Sequence, residues 1–326
     1  MKILRVGDVH CKPNNREESY RLMEFVVSTA IHYNVDVVEL EGDLFDTHDV
    51  VRLSVLKFWD IWFHKLSWQP FKVRVLVGNH DLSGEYSDTY SALHPFIELE
   101  NDNFKIVHAP YLDGVFGYLP YIHDNGKFIE EANKLADLGA TVLVSHPNYE
   151  GAVYDNGSPI TGAVSPDSLD SRFFHLIGGH IHTELELGRI WYIGSPRWLT
   201  KSCANKQKGI WLCEHDETGL MTSKQFISTE GVCTPIVSLV WKEGEPKPET
   251  PKNATTNIEL VGSSEWVIEQ KKDLKGVSIS SKITDIKKSK ARKSGSSLHE
   301  FLAMHYKAHP KRKERLIQYL GDLGLV

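Results

Sequence analysis

Residues 73–81 read V-R-V-L-V-G-N-H-D. Valines at 73, 75 and 77 with Leu76 form a short β-branched run, the composition of a buried strand. The run stops at a glycine, and Asn79, His80 and Asp81 follow, three side chains offering oxygen or imidazole donors. The same arrangement occurs twice upstream. The apolar run 3–6 ends at Gly7-Asp8, with His10 two residues on, and the run 35–40 leads into Gly42-Asp43, with Asp46 behind it. Two helical stripes lie between these runs. Residues 17–33 place Leu22, Phe25, Val26, Thr29, Ala30 and Tyr33 on one face, and residues 50–66 carry Trp59, Trp62 and Phe63 at core spacing. Strand, helix, strand, helix, strand predicts parallel pairing through right-handed crossovers, an α/β fold.

Further strands are expected at 104–107, 141–144, 173–177, 190–193 and 210–213, with one helix over 128–138. Spacings shorten after residue 170 without a long helix, which predicts antiparallel, hairpin-rich sheet in the second half. Two of these strand ends also carry imidazoles. His146 follows the run 141–144, and Gly178-Gly179-His180-Ile181-His182-Thr183 closes the run 173–177. In extended chain, residues i and i+2 point the same way, so the rings of His180 and His182 could reach one object.

At 326 residues the chain is long enough for one large domain or two. It is 41% hydrophobic and 25% charged, the balance of an ordinary soluble globular chain. No apolar stretch approaches the roughly 20 residues of a membrane helix, so no membrane association is expected. The start M-K-I-L-R-V-G-D-V-H has no small-residue cleavage site and does not read as a signal peptide. Cys11, Cys203, Cys213 and Cys233 lack C-x-x-C spacing, so reduced thiols in a cytosol-like compartment are expected. The net charge of −6 is unevenly spread: residues 271–315 hold 14 Lys/Arg against 4 Asp/Glu, a net of +10, which leaves −16 on the remainder. Such an asymmetry points to a polyanionic or acidic partner, or to a solvated linker and helix surface.

The five strand-end groups share a chemistry. In open α/β sheets, ligands bind outside the carboxyl ends of the strands. Asp, Asn and His without thiolate suit Mn²⁺, Fe²⁺ or Zn²⁺. Seven potential ligands exceed what one ion takes and match two ions sharing a bridging carboxylate. Two ions about 3.5–4 Å apart clamp an in-line displacement at phosphorus. Taken singly, each group has a plainer reading: an Asp at a strand end is often a helix N-cap, and Gly-Asn favours turns.

The ordered set G-D-x-H, G-D-x-x-D, G-N-H-D, a later His and G-H-x-H resembles the motif set of the calcineurin-like metallophosphoesterases, over roughly residues 1–230. The resemblance implies an α/β/β/α sandwich of two packed sheets flanked by helices. It also implies that Asp8, His10, Asp43 and His182 hold one metal, and that Asp43, Asn79, His146 and His180 hold the other. His80 would face the leaving-group oxygen as acid or electrostatic stabiliser, oriented by Asp81. The stretches I-W-Y-I-G-S-P-R-W-L-T (190–200) and K-G-I-W-L (208–212) are similar to the SbcD-type DNA exonuclease subunits, phage versions included.

That branch implies a two-metal DNA exonuclease subunit, with Mn²⁺ the expected ion. It further implies a homodimer, an SbcC-type coiled-coil ATPase partner, and the cytoplasm of a bacterial or phage-infected cell. Residues 1–230 are then the catalytic domain and 231–297 a reduced cap or linker, basic towards its end, with E-G-E-P-K-P-E-T-P-K-N-A-T-T (243–256) linker-like in composition. Residues 298–326, with apolar faces at Leu298, Phe301, Leu302 and at Leu316, Ile317, Leu320, are the expected ATPase-docking helices. A body near −16 should repel duplex DNA, so metal ions and the basic stretch would have to offset it. Arg197, just after the last site loop, is a candidate phosphate contact. The competing readings are a metallophosphatase or phosphodiesterase acting on a small molecule or phosphoprotein, and a non-catalytic scaffold.

Overall fold

The computed structural model describes residues 1–48, 50–84, 90–274 and 277–284. The expected docking helices over 298–326 lie outside the described residues. The chain opens with β1 (Lys2–Val6), α1 (Arg16–His32), β2 (Val37–Leu40), α2 (Leu53–Ser67), β3 (Lys72–Leu76) and β4 (Phe104–Val107). Strands β1 to β4 pair in parallel in that order. There follow β5 (Tyr111–Asp113), β6 (Phe116–Leu119), α3 (Asn125–Asp137), β7 (Val142–Ser145), β8 (His175–Gly178), β9 (Leu185–Leu187) and β10 (Ile190–Tyr192). They build a second sheet in the order β5-β6-β7-β8-β10-β9. Strands β11 (Gly209–His215) and β12 (Met221–Ser228) return to the first sheet, β11 antiparallel to β1, giving β12-β11-β1-β2-β3-β4.

The two-period of a strand explains how the layers form. Along β1, Leu4 and Val6 pack under α1 and α2 with Leu22, Val26, Phe58 and Trp59. Ile3 faces the other way and packs with Phe116, Val142 and Ile177 of the second sheet. Strand β2 repeats the division, with Val38 and Leu40 on the helix side and Val37 between the sheets. The far face of the second sheet packs Leu143 and Leu176 against Phe128, Ala132 and Leu135 of α3. Asp124 caps α3 by accepting from the Lys127 amide at 2.8 Å. The result is the α/β/β/α sandwich, with three apolar layers and both faces of each sheet covered.

The expected antiparallel second half holds only in part. Strands β6, β7, β8 and β10 run parallel, and within this sheet only the edges β5 and β9 pair antiparallel. The crossover from β7 to β8 is a long loop, residues 146–174, with a single 3-10 turn at Pro166–Ser168. A parallel connection needs length rather than a helix, so the missing helical pattern misled the reading.

The described residues within 1–239 and 248–258 form one compact unit, and the remaining described residues, 240–247, 259–274 and 277–284, a second. Strands β13 (Ile236–Lys242), β14 (Thr255–Gly262) and β15 (Ser278–Ile283) form a three-stranded sheet in that order, with α4 (Ser264–Asp273) between the last two in sequence. In the second unit the rings of Trp241 and Trp266 meet edge to face at 5.3 Å, and Glu243 accepts from the Ser263 amide and hydroxyl at 2.6 and 2.9 Å. The Pro- and Glu-rich stretch expected as a linker joins β13 to β14. Composition identifies a loop but not what the loop connects.

One polar cluster lies between the large sheets. Arg5, fully buried, donates from Nη1 to Glu41 Oε1 at 3.0 Å and to Glu39, while the Tyr118 hydroxyl donates to Glu39 Oε1 at 2.6 Å. Burial pushes Glu41 up to about 8, against the pull of the Arg5 guanidinium. Removing one partner of such a cluster strands the rest. Arg5→Ala is expected to lower the unfolding free energy by about 3–5 kcal/mol in urea denaturation; an unchanged midpoint would count against the cluster's role.

Candidate dinuclear metal site

Five loops meet where the carboxyl ends of β1, β2 and β3 face those of β7 and β8. β1 delivers Asp8 and His10, β2 delivers Asp43, β3 delivers Asn79, His80 and Asp81, β7 delivers His146, and β8 delivers His180 and His182. Close approach explains the glycines. A Cβ at Gly78 would overlap the Asp43 amide and carboxylate, and Gly42 combines a φ of +89° with a Cβ position 2.6 Å from His146 Nδ1. Of the five non-glycine residues with positive φ among the described residues, three are His10, Asp43 and His180. Backbone held in that sparsely populated region typically marks a functional constraint.

The structure brings all seven expected metal-binding residues together, in two groups. Asp8, His10 and His182 form one, with His10 Nε2 and His182 Nε2 3.2 Å apart. Asp43, His146 and His180 form the other. Asn79 joins the second group, its Oδ1 2.9 Å from His180 Nδ1. Asp43 touches both: its Oδ2 is 3.6 Å from His10 Nε2 and 3.2 Å from His146 Nε2. The two histidines of G-H-I-H therefore fall in different groups, the division that the resemblance implies. With φ at +81°, His180 leaves the extended conformation that the same-face argument assumed, and the two rings diverge into neighbouring groups.

Burial sets the electrostatics. Asp8, Asp43 and His146 are almost fully buried, and His10 nearly so. Burial keeps His10 and His180 neutral, His180 at about 3. Burial would also lower His146 and His182, but the Asp43 carboxylate lifts His146 to about 9 and Asp155 lifts His182 to about 10. Asp43 opposes its own burial by facing His146 and is held well below the carboxylate range. Asp8 is raised, burial outweighing the nearby His146 and His182.

The donor set fits divalent cations. Asp8 Oδ2 and His180 Nε2 are buried and make no hydrogen bond among the described residues. Each such bare polar atom costs about 1–3 kcal/mol. Cations among these oxygen and imidazole donors would satisfy both. The tautomers suit that purpose, because His146 Nδ1–H donates to the Glu41 carbonyl at 2.8 Å and leaves Nε2 as the lone-pair donor.

The residues around His80 depart from expectation. Its Nδ1–H donates to the Asp46 carbonyl at 3.0 Å, its amide donates to Asp43 Oδ1 at 2.8 Å, and its ring stacks on His48 at 4.4 Å. Asp81 does not orient the ring. It accepts from the amides of Phe45 and Gly78, both at 2.9 Å, because the 3-10 turn Asn79–Asp81 directs its carboxylate into the loops. Asp81 thus ties the second strand-end loop to the third. Burial pushes it up to about 7, with Asp43 adding to the rise. Arg197 is also corrected: it is buried and paired with Glu18 and with Ser19 Oγ at 2.8 Å, which clamps α1 instead of contacting a phosphate. The sequence reading missed Asp155, whose carboxylate lies 3.3 Å from His182 Nδ1. It sits in the irregular 146–174 crossover, where no periodicity or motif signals it.

The calcineurin-like phosphoesterase family matches residues 1–184, more than half of the chain. The chain belongs to that family. Among curated relatives, it is 26% identical over 227 residues to Exonuclease subunit 1 of Enterobacteria phage T4. It is 20% identical over 238 residues to the DNA double-strand break repair protein Mre11 of Nanoarchaeum equitans. Each match covers 65% of this chain and 64% of the relative, so the chain spans less than two thirds of either relative's length. No helix among the described residues is long and apolar enough to cross a membrane. All four cysteines are free and buried.

Divalent cations entering this site would displace protons from the raised His146 and His182. Metal uptake at pH 7 is therefore expected to release protons. Apparent affinity should climb by about tenfold per pH unit for each proton released, up to the range of His146 and His182 near 9 to 10. Calorimetric titration with Mn²⁺ in buffers of different ionisation enthalpy measures this directly, and binding enthalpies independent of buffer would refute it.

Proposed function

We propose that the chain is a two-metal DNA nuclease subunit that hydrolyses phosphodiester bonds, with residues 1–230 as its catalytic domain. The observation that carries the reading is the Asp43 carboxylate, in contact with both donor groups at 3.6 and 3.2 Å, as a carboxylate bridging two ions would be. The relatives' names, an exonuclease subunit and a double-strand break repair protein, support DNA as the substrate class. Mn²⁺ suits the mixed oxygen and imidazole set.

Bound as a pair, divalent ions supply a water of lowered pKa and neutralise the phosphoryl oxygens. The chain does the rest. Asp8, His10 and His182 would hold one ion, and Asn79, His146 and His180 the other, with Asp43 between the two groups. His80, its Nδ1 occupied by the Asp46 carbonyl, keeps Nε2 for the leaving-group oxygen and acts as acid or electrostatic stabiliser. Asp81 is a positioning residue for the two loops that carry Asp43 and His80. The proposal extends to a homodimer in the cytoplasm of a bacterial or phage-infected cell, acting with an SbcC-type coiled-coil ATPase that the 298–326 segment would dock.

The test is purified chain with Mn²⁺ on end-labelled double- and single-stranded DNA, beside a small phosphodiester and a small phosphomonoester. Mn²⁺-dependent shortening from the ends is expected. His80→Ala should reduce it by about 10²–10⁴-fold while metal binding persists. Turnover of the small esters with DNA untouched, with and without the ATPase, would replace this reading by that of a small-molecule phosphoesterase.

A further inference from the structure

His182 reaches the site from one side and a second set of partners from the other. Its Nε2 lies 3.2 Å from His10 Nε2, and its Nδ1 lies 3.3 Å from Asp155 Oδ2. Asp155 is itself fastened. The Thr183 hydroxyl donates to its Oδ1, and the Lys206 ammonium donates to its backbone carbonyl at 3.1 Å and to Thr183 Oγ1 at 2.9 Å. Cys203 Sγ donates to Oδ2 at 3.7 Å. The backbone of His182 is gripped as well: its carbonyl accepts from the Ser195 amide at 2.9 Å, the Ser195 hydroxyl at 3.2 Å and the Lys208 ammonium. Ring and backbone are thus restrained by residues from three separate stretches, 155, 195 and 203–208.

We propose that Asp155 is the positioning residue of the first metal group, its carboxylate turning His182 so that Nε2 converges with His10 Nε2 on one cation. A carboxylate on the far nitrogen of a ligating imidazole fixes the tautomer, sets the ring orientation and raises ligand basicity. The inference rests on the two-metal reading but assigns a residue that no strand-end motif contains. It also gives the 146–174 crossover a task, because this loop carries Asp155 to the metal group.

The experiment is Co²⁺ titration of the full chain, followed by visible absorbance, for wild type, Asp155→Ala and Asp155→Asn. The wild type should take up two ions in resolvable steps. Asp155→Ala should weaken one step by about 10–100-fold and leave the other unchanged. Asp155→Asn, whose amide oxygen still accepts from Nδ1–H, should recover most of the loss. Both steps unchanged in Asp155→Ala would overturn the assignment. So would both steps weakened together with a lowered melting temperature of the metal-free chain, which would make Asp155 a loop fastener only. A thiolate-to-cobalt charge-transfer band abolished by Cys203→Ser would overturn it differently, making Asp155, His182 and Cys203 a metal site of their own. Failure of the wild type to bind Co²⁺ would remove the two-metal reading along with it, whereas wild-type binding without an Asp155 effect sinks this inference alone.

Discussion

The structure depends on a desolvated pocket of carboxylates and imidazoles at the line where two sheets present their carboxyl ends. Asp8, Asp43 and His146 have almost no exposed surface, and His10 has little. Taking such groups out of water is unfavourable unless each finds a partner. Part of the compensation is internal, as His146 beside Asp43 shows. The rest of the donor set stays underused by the protein itself, with Asp8 Oδ2 and His180 Nε2 lacking hydrogen bonds among the described residues. A surplus of buried lone pairs is what a cation-binding pocket requires and what a purely structural cluster would avoid.

That requirement propagates outward. Loops must approach closely enough to share Asp43, so glycine stands at 42 and 78, where a Cβ would collide with His146 or with Asp43 itself. Backbone strain at His10, Asp43 and His180 has to be held by the surroundings, and Asp81 supplies part of that hold by accepting amides from two loops. The buried Arg5, Glu39 and Glu41 cluster lies directly behind, and the Glu41 carbonyl fixes the His146 tautomer. Catalytic geometry and sheet packing are thus coupled through the same strand ends.

Most of this was legible in the sequence because strand-end chemistry is local. A β-branched run followed by Gly-Asp or Gly-Asn-His-Asp locates both the strand and the donor, and all seven expected metal-binding residues meet in space. What escaped was non-local. Asp155 is recruited from an irregular crossover, so its neighbour His182 cannot be inferred from spacing. Arg197 follows a site loop in sequence yet turns inward to Glu18. The divergence of His180 and His182, implied by the resemblance, rests on one positive φ that no periodicity encodes. The parallel pairing of β7, β8 and β10 was hidden because a long loop does the work usually given to a helix.

Charge makes the same argument from the substrate's side. A phosphate ester approaching this pocket meets Asp8, Asp43 and Asp46 on a body of strongly negative net charge. Several nearby cations are committed elsewhere: Lys12 pairs with Asp46 at 3.1 Å, Arg197 with Glu18, and Lys206 and Lys208 hold the loop of His182. At a few ångströms in a dry site, an uncompensated carboxylate repels a phosphoryl oxygen strongly. On the proposed two-metal reading, positive charge at the phosphorus would come from bound metal ions. On the same reading, Asp155 and Lys208 would serve the phosphate indirectly, by fixing the His182 imidazole and backbone where one ion would sit.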